Sequence, residues 1–343
     1  MWTATLPACG SGALAADTAT IARTSAADSS HVPFVLPAAR DSLRLEPQGT
    51  FAGDAAHALA EPTGVLSDAF GRVWVSDAVL HKLRRWNAAG QPLDETGALG
   101  SEAGQFRHPG ALARVGSLGV AVLDVENRRV SAYDHHLRLL GAAVDLAAPE
   151  LEARIGRVDP VSLASDKGGA YYVVDAERDR ILVFDYSGAF EREIGGFGGR
   201  VGGFSGLMAI ATGPRGTLVT VERPRGSSKK NKTAAHDSTV ARSRVQWLDP
   251  GGRVIDSAWT PAWTAGAGET AMSLAIDDSG RVAVTGERSG ELVILSPAGA
   301  CVGRMGGLAS PRGLAFSADG ALLVAEAGAA RVRRLILAAA GTE

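Results

Sequence analysis

The sequence predicts an all-β fold: a six-bladed β-propeller of four-stranded antiparallel blades, its ring closed by an N-terminal strand. Three observations predict it. A segment led by proline or a hydrophobe recurs at Pro62, Pro109, Pro160, Leu207, Ala271 and Pro311, at spacings of 47, 51, 47, 64 and 40 residues. A period of that size, made of short β-forming runs, is a propeller signature. Turn and acidic residues repeat in register with it. Nine residues after the anchors stand Gly71, Leu118, Gly169, Gly216, Gly280 and Gly320, and fifteen after them stand Asp77, Asp124, Asp175, Glu222, Gly286 and Glu326. Finally, the last repeat stops one strand short, while a lone strand-like run, Leu43-Arg44-Leu45-Glu46-Pro47-Gln48-Gly49-Thr50-Phe51, precedes the first.

Taken in order, residues 1–40 read as a disordered tether, rich in Ala, Ser and Thr from Gly10 to Ser30. Within it, Leu6-Pro7-Ala8-Cys9-Gly10 resembles a bacterial lipoprotein cleavage box in which Cys9 takes the lipid, though only eight residues precede the cysteine. Three readings stand: a truncated lipoprotein signal, another export signal, or no signal. The first two place the protein in the periplasm, the outer membrane or at the cell surface. A cytoplasmic location follows if Met1 is the true start.

The propeller domain is expected over 41–338, with a tail at 339–343. The third blade is the clearest. Val161 to Ala164 is a strand, Asp166-Lys167-Gly168-Gly169 a turn, and Ala170-Tyr171-Tyr172-Val173-Val174 a second strand rich in β-formers. Ile181 to Phe184 and Ala189 to Ile194 complete the sheet. Between third and fourth strands, Gly90, Gly188, Gly252 and Gly299 supply the tight turn, and blade two places Leu137 there. In the sixth blade, 313–317, 321–325 and 331–337 are strands, and the 43–51 segment is predicted to pair with 331–337. Closure removes the open edges that invite aggregation.

Bulk composition excludes several functions. Net charge is −2, so no global basic field recommends nucleic acid as a partner. No run of about 18 apolar residues encodes a membrane-crossing helix. Two cysteines, Cys9 and Cys301, are too few for a disulfide framework, and Cys301 reads as a buried, inert thiol.

Val75-Ser76-Asp77 with His81-Lys82-Leu83, Leu123-Asp124 with Asn127-Arg128-Arg129-Val130, and Val174-Asp175 with Asp179-Arg180-Ile181 form one pattern. The link Gly100-Ser101-Glu102-Ala103-Gly104-Gln105-Phe106, followed by Pro109, joins it. This pattern resembles the NHL-repeat family of β-propellers over 62–337. The resemblance implies a propeller that binds other molecules, with a minority of enzymes. The zinc-dependent lyases of this fold family place several histidines around the channel. This chain departs from that pattern, and the activity is not carried over.

The repeated carboxylates read as architecture: each accepts hydrogen bonds from turn N–H groups and pairs with a following base, Lys82, Arg129, Arg180 or Arg331. Functional residues are expected where the repeat fails. Blade four has 17 extra residues between Glu222 and Val245, carrying Arg225, Lys229, Lys230 and Lys232, a basic loop suited to a protein, an anionic polymer or a charged surface. It lacks interleaved aromatics for base stacking. At the channel mouth, the residues before the anchors are Glu61, His108, Asp159, Gly206, Thr270 and Ser310. Glu61, His108 and Asp159 are an assortment able to take a divalent metal, the one cofactor considered. Trp259 and Trp263 offer an aromatic patch or core packing. The expected function is a non-catalytic binding or scaffolding propeller, monomeric or part of a larger assembly, working through its loop face. The alternative is a metal-dependent lyase or hydrolase at the mouth.

Overall fold

In the computed structural model the described residues are 43–53, 57–116, 119–223, 225–226, 241–269 and 272–339. They form six four-stranded antiparallel sheets arranged as a propeller. Blade one is Pro62–Ser67, Val73–Asp77, Lys82–Trp86 and Pro92–Thr96. Blade two is Pro109–Val115, Gly119–Asp124, Arg129–Tyr133 and Leu139–Asp145. Blade three is Pro160–Ser165, Tyr171–Asp175, Arg180–Phe184 and Phe190–Gly195. Blade four is Leu207–Thr212, Leu218–Glu222, Arg244–Leu248 and Val254–Trp259. Blade five is Met272–Ile276, Val282–Gly286, Glu291–Leu295 and Cys301–Met305. Blade six is Pro311–Phe316, Leu322–Glu326 and Arg331–Ala339, completed by Leu43–Phe51.

The closing strand runs antiparallel to the last one, from Leu43 opposite Ala339 to Phe51 opposite Val332, with a bulge between Pro47 and Gly49. The pairing extends two residues past the predicted 331–337. The first strands contact one another in succession, and that of blade six returns to that of blade one. Second strands such as Val73–Asp77 and Tyr171–Asp175 are buried along their whole length, which explains their continuous apolar runs. The core lies between blades: Ala121 and Leu123 of blade two pack with Leu163, Tyr171, Val173 and Phe184 of blade three.

Gly188 shows why the outer turns favour glycine. Its φ is +83°, and an added Cβ would sit 1.7 Å from the carbonyl oxygen of Ala143. Leu137 holds the matching left-handed conformation at φ +58° with its side chain buried. A second left-handed site recurs four residues after the acidic position, at His81, Arg128, Asp179, Gly290 and Ala330.

Two features were not anticipated. A helix, Pro149–Ile155, lies in the link from blade two to blade three. Pro149 opens it, Glu150 and Glu152 sit in its first turn, and the Gly156 N–H closes it on the Glu152 carbonyl at 2.8 Å. Leu151 and Ile155 pack on the adjoining core. In blade four, the root of the insertion is ordered: Arg225–Gly226 pairs with Ala241–Arg242, putting Arg225 opposite Arg242. Cys301 is half-buried at a strand start, not fully buried, and burial pushes its thiol pKa up.

Candidate functional site on the loop face

The repeated carboxylates tie each link to its blade. Asp77 accepts from the backbone N–H groups of Ala60 (2.7 Å), Glu61 (3.1 Å) and Leu80 (3.0 Å). Asp124 accepts from Arg107 and His108, Asp175 from Asp159, Glu222 from Ser205 and Glu326 from Ala309. Each carboxylate is almost fully buried. A buried acceptor is tolerated when donors surround it, so the acid shapes the link that carries the loop face.

The predicted basic partners fall into place with one exception. Arg180 Nε reaches Asp175 at 2.9 Å, Arg331 Nε reaches Glu326 at 2.6 Å, and Arg129 Nε lies 3.6 Å from Asp124. Lys82 instead pairs with Glu95 on the outer strand. In blade four, Arg244 bonds Glu222 at 2.7 Å. The arginines also clamp the preceding link. Arg129 donates to the carbonyls of Ser101, Glu102 and Gln105, and Arg244 to those of Gly199, Arg200 and Gly203, at matching positions.

The mouth residues occupy the inner ends of the links. Val125 N–H donates to the His108 carbonyl at 3.0 Å and Ala176 N–H to that of Asp159 at 2.9 Å. Asp159 is exposed, while Glu61 and His108 are half-buried. Glu61 lies 3.6 Å from Arg312 of blade six, which also contacts Glu287 of blade five at 2.8 Å. Among the described residues, no group of three or more His, Cys, Asp or Glu converges to hold a metal ion. Thr270, Lys229, Lys230, Lys232 and Cys9 lie outside the described residues. For Arg225 the backbone alone is described.

Asp159 instead lines a cleft of about 480 Å³ between blades two and three, with Glu126, Arg128, Arg157 and Glu177 around an apolar floor of Val125, Val158 and Pro160. Trp263 belongs to the core, 3% exposed, its indole N–H donating to Ser243 Oγ at 3.0 Å; Trp259 is half-buried.

Sequence reasoning missed three features. Arg312 joins blades five, six and one through carboxylates distant in sequence. Glu269 stands in for the acid that the repeat lacks at Gly286. Phe197 and Val201, on the link into blade four, are 84% and 59% exposed, and Leu99, at the position matching Phe197, is 66% exposed. A large apolar residue in each of two polar, glycine-rich links was the available signal.

No protein-family model matches the chain, and no curated protein matches its sequence. Solved structures do match its fold. A streptogramin B lyase superposes with a TM-score of 0.56 at 14% identity, covering 86% of this chain and 98% of that one. A gluconolactonase from Xanthomonas campestris gives 0.56 at 13% identity, covering 87% and 99%. The protein U3-55K gives 0.54 at 12% identity, covering 87% and 98%. At such identities the likeness concerns the propeller fold, which hosts many functions.

Proposed function

We propose that this protein is a non-catalytic binding or scaffolding propeller that engages a protein or anionic polymer through its loop face. The observation that carries this reading is the exposure of Leu99, Phe197 and Val201 on links clamped from beneath by Arg129 and Arg244. Apolar side chains held outward on rigid loops lose little conformational entropy on binding. The test is capture of a native partner by the intact protein and by variants altered on this face. A partner retained by a variant carrying both Leu99→Ser and Phe197→Ser and lacking 225–242 counts against it.

A second reading, a metal-dependent lyase or hydrolase at the channel mouth, draws its support from the fold shared with a lyase and a lactonase; Glu61, His108 and Asp159 form no converged ligand set among the described residues. Metal analysis of the purified protein, repeated on His108→Ala, separates the two. Bound metal lost in that variant favours the enzyme. The export proposal is independent of both, and mass spectrometry for a diacylglyceryl group on Cys9 tests its lipoprotein form.

A further inference from the structure

We propose that the link into blade four, with Phe197 and Val201 at its tip, docks an acidic peptide segment bearing an apolar side chain. This rests on the loop-face reading above and names its partner.

The link is folded on itself. Phe197 bridges to Phe204, the Gly198 N–H donates to the Phe204 carbonyl at 2.7 Å, and the Phe204 N–H returns to the Gly196 carbonyl at 3.0 Å. Phe204 is fully buried beneath, and Arg244 holds three of the link carbonyls. Phe197 therefore stands outward on a pinned loop. Single exposed hydrophobes are ordinary, and Leu99 shows that this position faces out in another link as well. What differs here is a second apolar residue, Val201, where the first link has Ala103, and the charge around it.

From residue 195 to 232 the one acidic residue is Glu222, and it is buried against Arg244. Every other charged residue in that span is positive. Arg200 and Arg223 are exposed, and the Arg223 N–H bonds the Gly206 carbonyl at 2.7 Å, which fixes its backbone to the link's end. An apolar tip that carries Arg200, with Arg223 at the link's far end and no acid exposed between them, complements a partner with the opposite pattern. Phe197 is a single aromatic face, and residues 223–244 contain no Phe, Trp or Tyr to extend it, so successive bases have no series of rings to stack on and the surface suits an acidic peptide better than a nucleic acid.

The test is fluorescence anisotropy with a fluorescein-labelled peptide of Glu and Asp around a central Leu-Phe pair. Controls are the same peptide with Lys for the acids, the same with Ala for Leu-Phe, and labelled oligo-dT. The proposal expects saturable binding that weakens at least about tenfold in Phe197→Ser and in the double variant Arg200→Glu, Arg223→Glu, with loss in both control peptides. Because all three side chains are exposed, thermal unfolding should stay unchanged, and this is checked in parallel. No saturable binding up to about 1 mM, or equal affinity in Phe197→Ser, overturns it, as does tighter, Phe197-dependent binding of oligo-dT. Binding lost in Leu99→Ser and kept in Phe197→Ser overturns this surface while leaving the loop-face reading intact.

Discussion

The carboxylate of Glu269 fills the space opposite Gly286 that an acid on the strand itself fills in the other five blades. A Cβ added to Gly286 would lie 2.5 Å from Glu269 Oε2. Glu269 accepts from the N–H groups of Arg288 (2.7 Å) and Ser289 (2.9 Å), so the tie runs from link to blade instead of from blade to link. The missing acid in blade five is thus an exchange of position.

Glu269→Ala should cost about 1–3 kcal/mol, the penalty for leaving the part-buried Arg288 and Ser289 N–H groups without their acceptor. Gly286→Asp alone should destabilise too, since it sets a second carboxylate against the first. The double variant should be more stable than the sum of the two losses predicts, by at least about 0.5 kcal/mol. Urea denaturation of the four proteins measures this, and strict additivity would show that the two residues do not share a site.

Arg244 should matter more than Arg129. Its guanidinium is 6% exposed and bonded to Glu222, whereas that of Arg129 is 17% exposed and 3.6 Å from Asp124. Removing Arg244 takes the guanidinium away from the buried Glu222 carboxylate, which keeps donors such as the Ser205 N–H and Gln246 Nε2. The loss is about 1.5–3 kcal/mol, that of a hydrogen bond to a charged group. Arg129→Ala should cost roughly half as much. Thermal denaturation of both variants checks the order.

Acid stability should depend on Glu326. Burial pushes its pKa up, but hydrogen bonds from Arg331, the Ala309 N–H and Arg333 outweigh that, and the net direction is down from 4.5. A lowered folded pKa means the stabilisation is complete above the ordinary glutamate value and lost as pH falls through the folded one. Glu326→Gln should therefore lower the midpoint at neutral pH and flatten its decline below about pH 5. Parallel melting curves for the two proteins across that range would refute the assignment.

Replacing Leu137 by glycine pits two effects against each other. Relief of the left-handed strain is worth about 1–2 kcal/mol. The lost packing against the cluster that includes Trp74, Phe106 and Tyr133 costs about 2–5 kcal/mol. Packing should win, with a net loss of about 1–3 kcal/mol by chemical denaturation. A stabilised variant would show that strain dominates at this turn.

Deleting 43–51 should destabilise the whole ring. Phe51 is 5% exposed in the core that joins blades six and one, and its truncation alone is worth about 3–5 kcal/mol. Removing the strand also bares Arg331–Ala339, a nine-residue edge, so size-exclusion chromatography should show association.

Local chemistry made much of this legible in one dimension. Turn residues that need positive φ, β-forming runs and a recurrent acid all act within a few residues, so their spacing alone determined six blades and the partner of the 43–51 strand. The 149–155 helix escaped because it lengthens its repeat by only four residues, to 51 against 47 on either side, within the scatter of the other spacings. What only the tertiary structure decided are relationships between residues far apart in the chain. Arg312 between Glu61 and Glu287 depends on ring closure bringing blades five, six and one together. The Glu269 substitution depends on a link folding back on the strand beyond it. The outward stance of Phe197 depends on Arg244, 47 positions later, clamping the loop from below. A side chain's exposure is set by what covers it, and in a closed ring those neighbours come from other blades.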